Sequence, residues 1–352
     1  MNHEYYMQRC LDLAQNGLGR VAPNPLVGAV LVQEGKIIGE GFHQQFGHPH
    51  AEVNAFMDAE KKLGGDPIPP QTTMYVSLEP CNHQGKTPPC TDLIIRKGIK
   101  KVLIGAQDPN DKVQGKGIEK LRLAGIEVTI GILEKECRNL NKSFYTFFER
   151  NRPFIILKWA QSLDGFIAKK AVDNSAQSIW ISNEHSRKLT HKWRSEIQAI
   201  MVGTNTALHD NPILTVRDWK GKNHLRITLD KDLRLPQYLH LFDQTTPTLI
   251  FTQKKSPSFN NLEYIKVDFS KNLLEEILKV LHQRNIHSLI LEGGTTLLNS
   301  FIEANLWDEA RLFFSTKPLG DGIKAPMITT EMISKVTLEN DTLIICKNNN
   351  LK

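Results

Sequence analysis

His50-Ala51-Glu52, read together with Pro80-Cys81 and Cys90, is the stretch around which this chain is organised. One imidazole and two cysteines make three soft-to-borderline donors, the set that holds a catalytic zinc with its fourth position open to water. Glu52 lies beside that position and is not needed as a ligand. Bound zinc lowers the pKa of its water towards neutrality, so hydroxide becomes available to attack an amidine-like carbon. A neighbouring carboxylate can take the proton and deliver it to a leaving amine. Residues two apart on a helix do not share a face. His50 and Glu52 therefore converge only if the metal lies off a helix end, at the first turn, and the same holds for Cys81 and Cys90 if each starts a helix. Helix N-termini also favour thiolates through their exposed N–H groups. The spacing predicts a site where two helix starts meet. A closed structural zinc completed by His83 is the competing arrangement, but His83 follows Cys81 by only two residues and Glu52 would be left without a task.

Outward from this stretch, apolar residues recur at helical spacing over 4–16 (Tyr6, Met7, Cys10, Leu11, Leu13, Ala14), and Gly17 stops the helix. Pro23-Asn24-Pro25 is a loop, 27–32 a buried strand and 37–42 its hairpin partner. A helix is predicted from Pro49-His50 to about residue 63, a strand over 73–77, and a helix from Pro89-Cys90. Strands over 101–106 and 126–130, a helix over 118–124 and a closing helix over 133–149 complete an alternating α/β unit. Arg150-Asn151-Arg152-Pro153 reads as the boundary between residues 1–150 and 151–352. Beyond it, strands are expected over 154–160, 199–202, 225–229, 248–252, 264–267 and 288–291. Helices are expected over 182–194, 273–281 and from Gly293-Gly294-Thr295-Thr296 to Ala304, with 203–208 a short helical turn. The stretch 306–345 reads as β-rich, and the polar tail 348–352 is expected to fray.

Composition narrows the class. At 352 residues, with 40% hydrophobic and 23% charged, the chain is long enough for two domains with their own cores. No apolar run reaches membrane-spanning length, and the N-terminus lacks a basic region or cleavage site. A cytoplasmic enzyme is the expectation. Of five cysteines, Cys10, Cys137 and Cys346 read as scattered thiols of a reducing compartment. Up to Arg150 there are 18 basic against 17 acidic residues, and 26 against 21 beyond it, so the excess lies in the second part. That suits phosphorylated small molecules and falls short of the basic stripe of a nucleic-acid binder. Neither a nucleic acid nor a membrane is an expected partner.

The pattern H-x-E … P-C-x(n)-C is the signature of zinc-dependent nucleobase deaminases, here with eight residues between the cysteines. Pro23-Asn24-Pro25-Leu26-Val27-Gly28, His48-Pro49-His50-Ala51-Glu52, the run from Leu78-Glu79-Pro80-Cys81 through Gly85-Lys86-Thr87-Pro88-Pro89-Cys90, and Gln107-Asp108-Pro109-Asn110 resemble the deaminase half of the bifunctional riboflavin-biosynthesis deaminase–reductase family. The resemblance implies an α/β protein: a cytidine-deaminase-like three-layer α/β/α domain over 1–150, then a dihydrofolate-reductase-like α/β domain over 151–352. It implies one Zn2+ on His50, Cys81 and Cys90, and Glu52 as the proton shuttle. Asn24, His43, Lys86 and Asp108 would contact the ribosylaminopyrimidine phosphate. Taken alone, Lys86 is as readily a solvated lysine, His43 a structural histidine and Asn24 a turn residue.

In the second half, Leu291-Glu292-Gly293-Gly294-Thr295-Thr296-Leu297 joins a strand, a glycine pair and a helix start, whose N–H groups can cradle a pyrophosphate. It is not the G-x-G-x-x-G fingerprint, and a bare Gly-Gly after a strand is more often a tight turn. Lys158 with Ser162-Leu163-Asp164-Gly165, and His209-Asp210-Asn211-Pro212 through Arg217, resemble the reductase half of the same family, which uses NADPH. The resemblance places cofactor contacts on Ala160, Trp180, Thr206, Asp210, Gly294, Thr295 and Thr296, and substrate contacts on Ser178, Arg194, Leu214, Arg217 and Glu292. The arginines suit a phosphate gripped bidentately; the bland reading of either is a surface ion pair, and of Trp180 a core residue. Asp210 and Lys158 are both candidates for the proton donor. Trp159-Ala160-Gln161 and the stretch 173–180 depart from the family pattern.

The implied function is two consecutive steps of riboflavin biosynthesis. 2,5-Diamino-6-(5-phosphoribosylamino)pyrimidin-4-one is deaminated by hydrolysis. Its ribosyl group is then reduced with NADPH, giving 5-amino-6-(5-phosphoribitylamino)uracil. A homo-oligomer, dimer or tetramer, is the expected assembly. The alternatives are a nucleotide or nucleic-acid deaminase whose second domain only docks substrate, and a binding protein with a structural zinc and an inert second domain.

Overall fold

Along the first buried strand Ala29 and Leu31 face one way while Val30 and Val32 face the other, and the alternation of a pleated strand sorts the first half of the chain into two cores. The computed structural model describes residues 2–83, 88–169 and 180–350, and the chain divides into two compact units, Met1–Asn151 and Arg152–Lys352.

The first unit runs α1 (His3–Gln15), β1 (Gly28–Gln33), β2 (Lys36–Phe42), α2 (Ala51–Lys62), β3 (Thr73–Leu78), α3 (Cys90–Arg96), β4 (Lys101–Ala106), α4 (Lys116–Leu123), β5 (Glu127–Ile130), α5 (Glu134–Leu140) and α6 (Lys142–Arg150). The sheet order is β2-β1-β3-β4-β5. β1 is antiparallel to both neighbours, and β3, β4 and β5 are parallel. Ala29, Leu31, Met74, Val76, Val102 and Ile104 pack under α2, α3 and α4. Val30, Val32, Tyr75 and Leu103 pack against α1, α5 and α6. The result is three layers, α/β/α.

The second unit runs β6 (Phe154–Gln161), β7 (Phe166–Ala168), α7 (Glu184–Glu196), β8 (Ala199–Val202), α8 (Thr204–Asp210), β9 (Leu225–Leu229), β10 (Thr248–Thr252), β11 (Leu262–Lys266), α9 (Leu273–Gln283), β12 (Ser288–Glu292), α10 (Thr295–Glu303), β13 (Glu309–Ser315), β14 (Ile323–Lys324), β15 (Glu331–Leu338) and β16 (Asp341–Lys347). Its main sheet is ordered β11-β10-β9-β8-β12-β6-β13-β16-β15. The strands from β11 to β13 are mutually parallel, and β16 and β15 close one edge antiparallel. Ile155 and Leu157 turn to α9 and α10; Phe154 and Ile156 turn to α7 and α8. Strands covered on both faces are the expected home of near-continuous apolar runs, and Phe154-Ile155-Ile156-Leu157 is one. Among the described residues, no helix is long and apolar enough to cross a membrane.

Two expectations are corrected. The closing helix over 133–149 is two helices, broken at Asn141. Asn141 is buried and turns its amide to Leu26, donating to its carbonyl and accepting from its N–H, both at 2.8 Å. Long-range pairing of this kind is invisible to helical periodicity. The tail is also tied down through residue 350: Asn348 is 2% exposed, donating to Trp307 O at 2.9 Å and Asn305 Oδ1 at 2.8 Å. The short β7 and β14 pair was not expected; Gly322 lets it close, since a Cβ there would meet Ala168 O at 2.1 Å.

Replacing Asn141 by Leu, which keeps the branched shape without the polar atoms, strands both backbone groups of Leu26. Each costs about 1–3 kcal/mol. Hydrogen exchange should show faster opening in the first unit with the second unit unmoved; unchanged exchange around Leu26 would contradict this.

Candidate active sites

Two glycines set the position of the first centre. A Cβ on Gly41 would lie 2.4 Å from Ala55 N and 2.7 Å from Ala51 O, and one on Gly39 would lie 2.5 Å from Ala55 O. Their absence lets α2 lie directly on β2. Asn54, one turn into α2, ties it further by donating to Phe42 O at 2.8 Å and Pro49 O at 3.3 Å. His50 is the N-cap of α2 and Cys90 is the first residue of α3, so two helix starts meet there. Cys81 lies in irregular chain beyond β3, where it accepts from Cys90 N–H at 3.4 Å.

Cys81 Sγ lies 3.6 Å and Cys90 Sγ 3.4 Å from His50 Nδ1, and all three donor atoms are within 4.8 Å of one another. Tetrahedral zinc with Zn–S of about 2.3 Å and Zn–N of about 2.0–2.1 Å puts N and S roughly 3.5–3.6 Å apart. The residues fit the ion. His83 is exposed and is not part of the group. The Cys81 thiol is pulled down to about 4, first by its hydrogen bond from Cys90, with burial opposing and His50 assisting. Cys90 is pushed up by the same shared proton and by burial. His50 is raised to about 8 by its bond to Cys81, against burial. The cluster thus supplies one thiolate readily and retains protons that a cation would displace.

Glu52, in the first turn of α2, is buried and raised above the usual carboxylate range by burial, with His50 opposing and Cys81 adding to the rise. A carboxyl moved towards neutrality suits proton transfer near pH 7. The His43 ring meets His50 edge-on at 5.5 Å. Its Nδ1 lies 3.1 Å from Pro49 O and its Nε2 3.1 Å from Asn24 Nδ2. A carbonyl only accepts, so Nδ1 carries the hydrogen and Nε2 of the neutral ring accepts from the Asn24 amide. Burial lowers the His43 pKa and favours that form. Asp108 is buried and pushed up to about 7 by burial, against the Asn110 N–H, with the charges of Glu79 and Cys81 adding. Lys86 lies outside the described residues.

The second unit holds a cavity of about 1200 Å³ at the carboxyl ends of β6, β8, β9 and β12, where parallel sheets bind ligands. Ala160, Trp180, Thr206, Asp210, Gly294, Thr295 and Thr296 line it, as do Arg194, Leu214, Arg217 and Glu292. Ser178 lies outside the described residues. Trp180 is exposed, with Arg187 4.9 Å above its ring, and is not a core residue. The glycine pair differs from a bare phosphate cradle. Gly294 N–H donates to Thr206 Oγ1 at 2.9 Å, and Gly293, at φ +109°, leaves room for Thr206, which a Cβ would meet at 2.7 Å. The amides that begin α10 are then the donors left to a pyrophosphate.

Arg194 is no surface pair and no open phosphate fork. It is buried, with Nε and Nη2 on the two oxygens of Glu292 at 2.9 and 2.8 Å and Nη1 on Thr215 O at 3.3 Å. Lys158 Nζ is 3.5 Å from the same carboxylate. Burial alone would raise Glu292, but Arg194 and then Lys158 hold it well below the usual range. Burial lowers Lys158, against the pull of Glu292. Arg217 also lines the cavity, and its backbone N–H donates to His191 Nδ1 at 3.2 Å. His191 was missed in the sequence, as was Glu79. A histidine inside an amphipathic helix carries no signal of what it faces, whereas Glu79, between a buried strand and a proline, could have been suspected.

Residues 1–106 match the cytidine and deoxycytidylate deaminase zinc-binding region, and residues 153–348 match the RibD C-terminal domain. The riboflavin biosynthesis protein RibD of Aquifex aeolicus is 43% identical over 90% of this chain and 88% of its own length. That of Escherichia coli is 36% identical over 91% of this chain and 89% of its own. The crystal structure of a diaminohydroxyphosphoribosylaminopyrimidine deaminase/5-amino-6-(5-phosphoribosylamino)uracil reductase from Thermotoga maritima matches with a TM-score of 0.88 at 39% identity, covering 98% of each chain. Identity of this order, sustained across both units, means that the chain belongs to the RibD family of riboflavin biosynthesis proteins.

Proposed function

We propose that residues 1–150 deaminate 2,5-diamino-6-(5-phosphoribosylamino)pyrimidin-4-one and that residues 151–352 then reduce the ribosyl side chain to ribityl, yielding 5-amino-6-(5-phosphoribitylamino)uracil. The chain is a bifunctional zinc hydrolase and NADPH oxidoreductase of riboflavin biosynthesis. The observation that carries the reading is the His50, Cys81 and Cys90 donor set at zinc-ligand separations, with the buried Glu52 on the adjoining turn.

Zinc, when bound, supplies a Lewis acid for attack by water. Glu52 takes a proton from the attacking water and returns it to the departing amino group, so that water adds at the ring carbon and ammonia leaves. Asn24, His43, Lys86 and Asp108 hold the ribosyl phosphate side. The neutral His43 fixes which end of the Asn24 amide faces outward, leaving Oδ1 to accept from substrate. In the second unit, NADPH, when bound, supplies hydride to the sugar C1. The ring oxygen that leaves C1 needs a proton, and Lys158 is our choice of donor over Asp210. Its ammonium is buried at the cavity, with its pKa lowered by that burial and Glu292 3.5 Å away to orient it. Arg217 takes the phosphate.

Two finer parts complete the reading. A cytoplasmic location is supported by Cys10, Cys137 and Cys346, three buried cysteines outside the metal group and in no disulfide. A homo-oligomer is supported by the edge strand β15, which exposes Met332, Ile333 and Val336; sedimentation velocity tests it.

Coupled assays test the function: ammonia release from the diaminopyrimidine, then NADPH oxidation that depends on the deaminated product. Glu52→Gln should keep one zinc per chain and lose about 10²–10⁴-fold in ammonia release, with reduction of supplied aminouracil unchanged. Deamination at the wild-type rate would mark the metal as structural. Because Lys158 is lowered from 10.5, the reductase kcat should fall with rising pH on a limb below that value. Lys158→Met should remove the limb along with most of kcat; a variant that keeps the limb would exclude Lys158 as donor.

A further inference from the structure

The turn that delivers Cys81 carries a buried acid to which the two-step reading gives no task. Glu79 is 4% exposed, and its oxygens collect four backbone N–H groups. Oε2 accepts from Asp108 at 3.3 Å and Gly115 at 3.0 Å; Oε1 accepts from Gly117 at 3.0 Å and Ile118 at 3.3 Å. Gly115 is the N-cap of α4, at φ +75° and with no side chain to cap the helix. Gly117 and Ile118 belong to the first turn of α4, where amides lack intrahelical partners. Glu79 therefore does from a segment distant in sequence, just beyond β3, what a capping side chain does locally, while Oε2 also grips the amide of Asp108. The fit is close. A Cβ on Gly117 would lie 2.2 Å from Pro80 O, so α4 begins directly against the residue preceding Cys81. Glu79 N–H donates to Ala106 O at 3.0 Å, fastening the turn to the end of β4 as well.

We infer that Glu79 is a positioning residue for deamination. It locks the loop that carries Asp108 and the start of α4 to the turn that carries Cys81, and so fixes the span between the zinc ligands and the ribosyl phosphate contact. The inference rests on the reading of Asp108 as a substrate contact. A residue needed only for folding would lower stability and zinc content together; a positioning residue moves substrate binding and leaves the metal in place.

Glu79→Gln in the full-length zinc-loaded protein is the test, because the amide keeps the shape but turns an NH2 group towards two of the four donors. The KM for deamination should rise about tenfold or more, the loss of a hydrogen bond to a charged group. The kcat should stay within about threefold, with one zinc per chain and reduction unchanged. A loss of zinc in step with activity, or an unchanged KM, would overturn the inference. Asp108→Asn, run in parallel, separates the two readings. If it leaves KM unmoved while Glu79→Gln raises it, the assignment of Asp108 falls and the latch stands. If it raises KM and Glu79→Gln does not, the latch falls. Should Glu79→Gln not fold, Gly115→Ala, which strains the held loop but keeps the carboxylate, decides by the same KM, kcat and zinc criteria.

Discussion

An imidazole nitrogen held 3.4–3.6 Å from each of two thiol sulfurs competes with them for protons until a cation replaces these, and much of the first unit is arranged to hold the three groups there. The start of α3 aims the Cys90 N–H at the Cys81 sulfur, and His50 caps the start of α2. Gly39 and Gly41 let one of those helices lie on the sheet, and the Asn54 amide fixes the segment just before His50. Glu79 ties the Cys81 turn to its neighbours. None of these side chains belongs to the donor set of His50, Cys81 and Cys90, and Glu52 stands buried on the adjoining turn.

The second unit answers a similar problem with ions of its own. The Glu292 carboxylate, at the end of β12, lies between the buried Arg194 of α7 and the half-buried Lys158 of β6, which leaves one excess positive charge at a large cavity. Desolvation makes such a cluster costly unless each member is hydrogen-bonded, and Arg194 meets this with a bidentate bond to Glu292 and a further bond to Thr215. That charge lies at the cavity which Lys158, Arg194 and Glu292 line.

The sequence made the metal centre legible because its chemistry needs particular residue types at particular spacings: His50 and Glu52 two apart, each cysteine near a proline. The strands were legible for a different reason, since Val27-Gly28-Ala29-Val30-Leu31-Val32 and Phe154-Ile155-Ile156-Leu157 can be little else than buried β. What escaped was long-range pairing. Asn141 interrupts a helix to hold Leu26, 115 residues away. Asn348 leaves a polar tail to bind Trp307 O. The guanidinium of Arg194 closes on Glu292, 98 residues on. Each is a polar side chain whose partner is set by the assembled sheet, and local pattern carries no trace of it.

A zinc ion on His50, Cys81 and Cys90 would keep an open coordination sphere on one nitrogen and two sulfurs. Zinc K-edge X-ray absorption on the purified protein measures it directly. Two sulfurs at about 2.3 Å, one imidazole nitrogen at about 2.0–2.1 Å and a single light atom from solvent are the predicted shell. A second imidazole or a third sulfur filling that last position would contradict the account.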